Sequence, residues 1–293
     1  MDRPLSIVVF SKDRPAQLDL CLKSIFKNLR NLISDKWTVD VIYTSSTQNF
    51  EIGYQTLMTE WDVDPVCFNR ETPIGGFEGN LERSMKEWGK NVLFFTDDDI
   101  VYKEFPINST KAIYQALDID DLFCVSLRLG KNTFIQDQYT NKRCPIPEEV
   151  NDGSEIIKTW LWKSHPEWSN FSYPFSVDAH VFRSSLAKKI ISQVDYFNPN
   201  SLEGRINGHI RKNLDSLPNK MGCLEKGCVV NTPINRVQET CHNGAGVFFG
   251  SSAKTTNERF LRGERLSLEE MDFSTIIGVH QELRLCWEQD KCC

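Results

Sequence analysis

Over the first hundred residues, short apolar runs alternate four times with amphipathic stretches, and the last run ends in three consecutive aspartates. Few folds accommodate that order. Residues 5–10 are apolar apart from Ser6, as in a strand buried on both faces. Ser11-Lys12-Asp13-Arg14-Pro15 breaks the run, and Leu18, Leu22, Ile25, Phe26 and Leu29 then recur at helical spacing, with Pro15 suited to a first turn. Residues 39–44 read as a second strand, 52–61 as a helix and 65–68 as a short third strand. Gly75-Gly76 opens a third helix over 77–88. Asn91-Val92-Leu93-Phe94-Phe95-Thr96 is the strongest strand in the chain, and it leads into Asp97-Asp98-Asp99. A β-α-β-α-β-α-β order predicts an α/β fold with a mostly parallel, Rossmann-type sheet flanked by helices. Ligands of such a sheet collect at the carboxyl ends of its strands.

Beyond residue 100 the pattern is less regular. Strands are expected near 122–127 and 176–182, a helix over 185–194, and a loop-rich stretch over 198–250. With no repeat and no linker composition, residues 1–293 read as one domain. Residues 1–104 form its ligand-binding half, and 105–293 an irregular half that shapes the site for a second substrate.

Charge narrows the function classes. The chain has 34 basic and 40 acidic residues, a formal net charge of −6, so general nucleic-acid binding is excluded as an expectation. A phosphate ligand would have to be held locally, by a metal ion or a few basic groups. No apolar run approaches the ~20 residues that span a bilayer, and residues 1–10 lack a cleavage signature. The expectation is a soluble, cytoplasmic protein whose cysteines are mostly buried thiols.

The aspartate triplet carries the chemistry. Strand alternation would send Asp97 and Asp99 to one side and Asp98 to the other. Carboxylates converging at a strand end repel one another unless a cation lies between them or one of them protonates. A hard divalent ion, Mn²⁺ or Mg²⁺, resolves that repulsion and commonly shares its shell with substrate phosphates.

Ile7-Val8-Val9-Phe10-Ser11-Lys12-Asp13-Arg14-Pro15, followed by Leu18, Cys21-Leu22 and Ser24-Ile25, resembles the opening of nucleotide-sugar-dependent glycosyltransferases of the GT-A fold. Leu93-Phe94-Phe95-Thr96-Asp97-Asp98-Asp99 resembles their metal-binding Asp-x-Asp motif. The resemblance covers residues 4–104 and is closest to the family-2 type. It implies transfer of a sugar from a nucleoside-diphosphate sugar, UDP-sugar favoured, to a hydroxyl of a glycan or other acceptor. Asp97 would face the ribose or bridge to the metal, Asp98 would line the donor site and Asp99 would bind the ion. Ser11 and Arg14 would lie beside base and ribose, and Ser45 beside the base, where the family often has a carboxylate instead. Arg70 and Asn80 would lie under the donor. A metal-shell histidine from the C-terminal part is also implied; His242, in a polar Gly-rich loop, is best placed, with His180 and His209 competing.

Transfer also requires a base for the acceptor hydroxyl, which in the family's inverting members is a single Asp or Glu. Glu203 is the first candidate. Asn198 and Pro199 give a helix start, and the positive end of that helix would keep Glu203 ionised. Asp178 is the second. Arg128, ending a buried strand, would neutralise diphosphate or pair with an aspartate. The aromatic stretch Trp160, Trp162, Trp168, Phe171, Tyr173 and Phe175 reads mainly as packing, with an acceptor platform as the alternative. A zinc site from Cys223, Cys228, Cys241 and His242 is disfavoured by the wide first gap and the adjacent ligands. Two other readings share the front half. A sugar-phosphate nucleotidyltransferase would need a Gly-rich basic loop after the first strand, which Ser-Lys-Asp-Arg-Pro lacks. In a non-catalytic carbohydrate-binding protein, nucleotide-sugar binding would be absent or metal-independent.

Overall fold

The computed structural model describes residues 3–32, 37–62, 65–72, 74–150, 155–238 and 244–288. The front half runs β1 (Leu5–Lys12), α1 (Pro15–Asn28), β2 (Trp37–Thr44), α2 (Gln48–Glu60), β3 (Val66–Arg70), α3 (Gly76–Glu87), β4 (Asn91–Thr96) and β5 (Asp99–Val101). The back half begins with α4 (Ser109–Leu117), β6 (Leu122–Ser126), β7 (Ile135–Asp137), β8 (Lys142–Arg143) and β9 (Lys158–Leu161). The back half completes with β10 (His180–Arg183), α5 (Ser184–Ile191), α6 (Pro199–Lys212), β11 (Lys220–Cys223), β12 (Val229–Asn231) and α7 (Ala253–Leu261).

Among the described residues an eight-stranded sheet has the order β3-β2-β1-β4-β10-β6-β11-β9. The pairs β1–β2, β1–β4, β2–β3 and β6–β11 are parallel, and β10 runs antiparallel to both β4 and β6. The expected mixed α/β architecture with a mostly parallel sheet is therefore the one found. The first three strands step outward from β1 and the chain then returns to place β4 on its other side. That reversal makes a crevice at the carboxyl ends of β1 and β4.

Strand alternation divides the core. Ile7, Val9, Leu93 and Phe95 face one side, with Leu18, Leu22 and Ile25 of α1. Val8, Phe10, Val92 and Phe94 face the other, with Phe77 and Leu81 of α3 and Leu202 and Ile206 of α6. Both faces of β1 and β4 are covered, which is why these strands read as unbroken apolar runs. No described helix is long and apolar enough to cross a membrane.

Two expectations about the back half are refined. Residues 198–250, expected to be loop-rich, begin with α6 and hold the short strands β11 and β12, while 224–228, 232–238 and 244–250 are outside helix and strand. The stretch 176–182 becomes a strand only from His180, because Ala179 sits in the left-handed region at φ 55° and breaks the extended chain. Its N–H still donates to Phe94 O at 2.8 Å, and its carbonyl accepts from Leu127 N at 2.9 Å.

Candidate active site

Because β10 is antiparallel to β4, the residues entering β10 lie beside the residues leaving β4. Thus Asp178 comes next to Thr96 although 82 residues separate them. β6 runs alongside, and just past its end Arg128 reaches Asp178 at 2.8 Å. Asn231, the last residue of β12, is registered against Asp99. Four chain segments therefore deliver polar side chains to one corner of an otherwise apolar sheet.

Arg14 and the aspartates form the centre. Arg14 Nη1 donates to Asp97 Oδ1 at 2.8 Å and to Asp98 Oδ2 at 2.9 Å. Its Nε donates to Asn235 Oδ1 at 2.7 Å, and its Nη2 to the Asn235 carbonyl. Asp97 Oδ2 accepts from Ser11 Oγ at 2.8 Å and Lys12 N at 3.1 Å. Asp98 Oδ1 accepts from Asn231 Nδ2 at 2.9 Å. Burial lifts Asp97 to about 6, against the lowering pull of Arg14.

Asp99 is placed differently from the expectation. β4 ends at Thr96, residues 97–98 turn, and β5 begins at Asp99, so one strand's alternation does not extend through the triplet. Asp97 and Asp98 line the cavity; Asp99 points inward, 1% exposed, and is absent from the cavity wall. Its Oδ2 accepts from Thr96 N at 2.8 Å and its Oδ1 from Asn231 Nδ2 at 3.1 Å. Burial, then the charges of Asp178 and Asp98, push it well above the usual carboxylate range. Asp99, expected to bind the ion, thus lies beneath the cavity that Asp97 and Asp98 reach.

The cavity above the triplet has a volume of about 1100 Å³. Its lining includes Ser11, Lys12, Arg14, Ser45, Asp97 and Asp98 from the front half of the chain and Asp178, Asn198, Glu203 and Tyr173 from the back half. Asn198 caps α6 as expected: its side chain accepts from Ser201 N at 2.7 Å, and Ser201 Oγ accepts from Asn198 N at 3.0 Å, a reciprocal capping box. One turn in, Glu203 Oε1 accepts from Val177 N at 3.2 Å. Burial, then the charge of Asp178, raise Glu203 to about 7, so the helix end does not hold it ionised far below neutrality.

The other expected site residues fall out as follows. Ser45 lines the cavity and donates to Glu51 Oε2 at 2.7 Å, so α2 brings a carboxylate to the end of β2, where none stands in sequence. Arg70 pairs with the same carboxylate at 3.1 Å and lies outside the cavity lining. Asn80, also outside, bonds Arg70 O and Gly76 O at 3.2 and 3.0 Å, tying β3 to α3. Arg128 is 2% exposed and its Nη1 pairs with Asp178, so of its two expected roles the structure shows the ion pair. His242 lies outside the described residues. His180 is fully buried beside Cys124, and His209 is on α6 beside Asn213. Trp160, Trp162, Phe171 and Phe175 are core; Tyr173 reaches the cavity.

Sequence reasoning missed His280, Asn231, Asn235 and Thr96. His280 lines the cavity, with Nε2 3.3 Å from Arg128 Nη1 and Nδ1 3.3 Å from Asn231 Oδ1. Thr96 Oγ1 lies 2.9, 3.2 and 3.1 Å from the carboxylates of Asp98, Asp99 and Asp178, and one hydroxyl proton serves only one of them at a time. Asn231 had a usable signal: Val229-Val230-Asn231 is an apolar run ending in a polar residue, the pattern that marked Asp97.

Whether these residues suit a divalent cation is decided by Asp97 Oδ1 and Asp98 Oδ2. They are hard oxygen donors converging on one point at the strand end, which fits such an ion, and Arg14 Nη1 stands at that point. Among the described residues, no three His, Cys, Asp or Glu side chains are gathered for a metal.

No family model matches the chain. Its sequence is 26% identical over 279 residues to the bifunctional glycosyltransferase pgtA of Dictyostelium discoideum, a match covering 82% of this chain and 33% of that protein. The chain thus spans about a third of the length of the curated relative it matches. The resemblance to glycosyltransferases read from residues 4–104 therefore recurs in a comparison over most of the chain. Among solved structures, S. aureus TarS 1–349 in complex with UDP is 17% identical, with 77% of this chain and 59% of that chain covered and a TM-score of 0.48. GalNAc-T7 with UDP, GalNAc and Mn²⁺ is 10% identical, with 88% and 47% covered and a TM-score of 0.45.

Proposed function

We propose that the chain is a glycosyltransferase that takes a nucleoside-diphosphate sugar into the cavity above Asp97 and Asp98 and transfers the sugar to an acceptor hydroxyl with inversion. One observation carries this reading. Two carboxylates and an arginine at the switch point of the sheet open into a cavity that Glu203 and Asp178 also line. The similarity to a curated glycosyltransferase over most of the chain supports it.

The division of labour follows from the two parts of the lining. Ser11, Lys12 and Ser45 lie where nucleoside and ribose would rest, with Asp97 fixed by Ser11 and the Lys12 N–H. Asp97 and Asp98 would hold a divalent ion, Mn²⁺ or Mg²⁺. Bound there, it would supply positive charge to the departing diphosphate. Glu203, raised to about 7, suits a general base at neutral pH better than Asp178, whose carboxylate is engaged by Arg128. The acceptor oxygen attacks the anomeric carbon as the bond from that carbon to the diphosphate oxygen breaks. The hydroxyl proton passes to Glu203, and the nucleoside diphosphate leaves as the anion. Asp178, held by Arg128 and Thr96, orients this part of the lining.

UDP-sugars are the donors to test first. The experiment is to incubate the chain with UDP- and GDP-sugars, Mn²⁺ and a panel of glycoside acceptors, and to measure nucleoside diphosphate released together with product anomeric configuration. Acceptor-dependent release with inversion is expected. Nucleoside triphosphate consumption with pyrophosphate release would place the chain with nucleotidyltransferases.

A further inference from the structure

Arg14 is held more tightly than a residue waiting for a ligand needs to be. It is 9% exposed, and three of its nitrogens are engaged, by Asp97, Asp98 and both oxygens of Asn235. The other oxygens of the two carboxylates are occupied as well, Asp97 Oδ2 by Ser11 and Lys12 N, and Asp98 Oδ1 by Asn231 and Thr96. The only carboxylate oxygens of the pair that face a common point are therefore those bonded to Arg14 Nη1. A guanidinium nitrogen and a divalent ion cannot occupy that point together. Each excludes the other sterically, and their like charges repel at contact distance.

We propose that Arg14 is a resident counter-cation that competes with a divalent ion for Asp97 and Asp98. With Arg14 in place, one positive charge is shared between the two buried carboxylates, which lessens their repulsion without a metal. An ion gains the pair only as the guanidinium releases it. The released guanidinium remains at the cavity wall beside Lys12, where its planar fork matches phosphate oxygens. Ion entry and the presentation of Arg14 to the donor's diphosphate are thereby one event. The inference rests on Asp97 and Asp98 being the ion site, as proposed above, but not on sugar transfer.

The test is a calorimetric titration of the full chain with Mn²⁺ alone, without any nucleotide. Arg14→Gln removes the competing charge, and by the size usual for coupled binding it should bind Mn²⁺ about tenfold or more tightly than the wild type. Adding Asp98→Asn to Arg14→Gln should abolish that gain. Removing Arg14 also unbalances two buried carboxylates, so melting temperature is read in parallel. Mn²⁺ should raise the melting temperature of Arg14→Gln further than that of the wild type. Mn²⁺ affinity and thermal shift equal to or below the wild-type values in Arg14→Gln would overturn the competition. Neither readout depends on transfer, so failure here leaves the enzymatic assignment standing, and failure of the transfer assay leaves this one standing.

Discussion

Asp98 and Asp99 are neighbours in sequence, yet one lines the cavity and the other is sealed beneath it. Their substitutions should therefore differ in kind. Asp98→Ala should remove ion-dependent nucleotide binding while the chain still unfolds cooperatively. Asp99→Ala leaves Thr96 N without its buried acceptor and takes one acceptor from Asn231, at a cost of about 1–3 kcal/mol in urea unfolding. Asp99→Asn, which removes a charge that its neighbours oppose, should be the milder change. Glu203→Gln should lower transfer by ~10²–10⁴-fold with donor binding retained. The base must be ionised to act, so wild-type transfer should fall as pH drops below about 7, and the residual activity of Glu203→Gln should lose that limb. Stability runs the opposite way. Folded Glu203 keeps its proton up to about 7, whereas the unfolded chain releases it near 4.5, so stability from this group is lost as pH rises through that window. Urea unfolding at pH 5 and 7.5 should show a larger decline for the wild type than for Glu203→Gln. That Glu203 belonged near a helix start was legible from Asn198 and Pro199. Its ionisation was not, because burial against Val177 and the charge of Asp178 come from a segment about 25 residues away in sequence.

At the level of elements, period and punctuation revealed much and strand direction very little. The four front strands and three helices were readable because β1 and β4 are covered on both faces, and because Pro15 and Gly76 stand at helix starts. The run 176–182 looked like any strand. Nothing local in it showed that β10 would pair antiparallel with β4, yet that pairing is what carries Asp178 to Thr96. The turn at residues 97–98 was equally hidden, and with it the inward course of Asp99. The start of α6 offers the clearest test at this scale. Asn198→Ala breaks the capping box that anchors the helix bearing Glu203, and should cost about 1 kcal/mol in denaturant unfolding. Since Asn198 also lines the cavity, a change in acceptor KM should accompany it.

For the molecule as a whole, one sheet joins strands from both halves, and the corner where β1, β4, β6 and β10 meet gathers polar groups from residues 11 to 280. The front part of that corner was legible, since Ser11, Arg14, Asp97 and Asp98 lie at strand ends that apolar runs announce. His280, Asn235 and Arg128 with its partner Asp178 reach it through tertiary folding that no spacing encodes. A chain with net charge −6 that binds a polyanionic nucleotide must do so at such a local site, and the binding should be concentrated there. The most direct measurement is a calorimetric titration of UDP, with and without Mn²⁺, into the wild type and into Asp98→Ala. Binding to the wild type that strengthens with Mn²⁺, and that Asp98→Ala abolishes, is the predicted result. Equal affinity in the two proteins, or no uptake of UDP or GDP by the wild type under either condition, would contradict it.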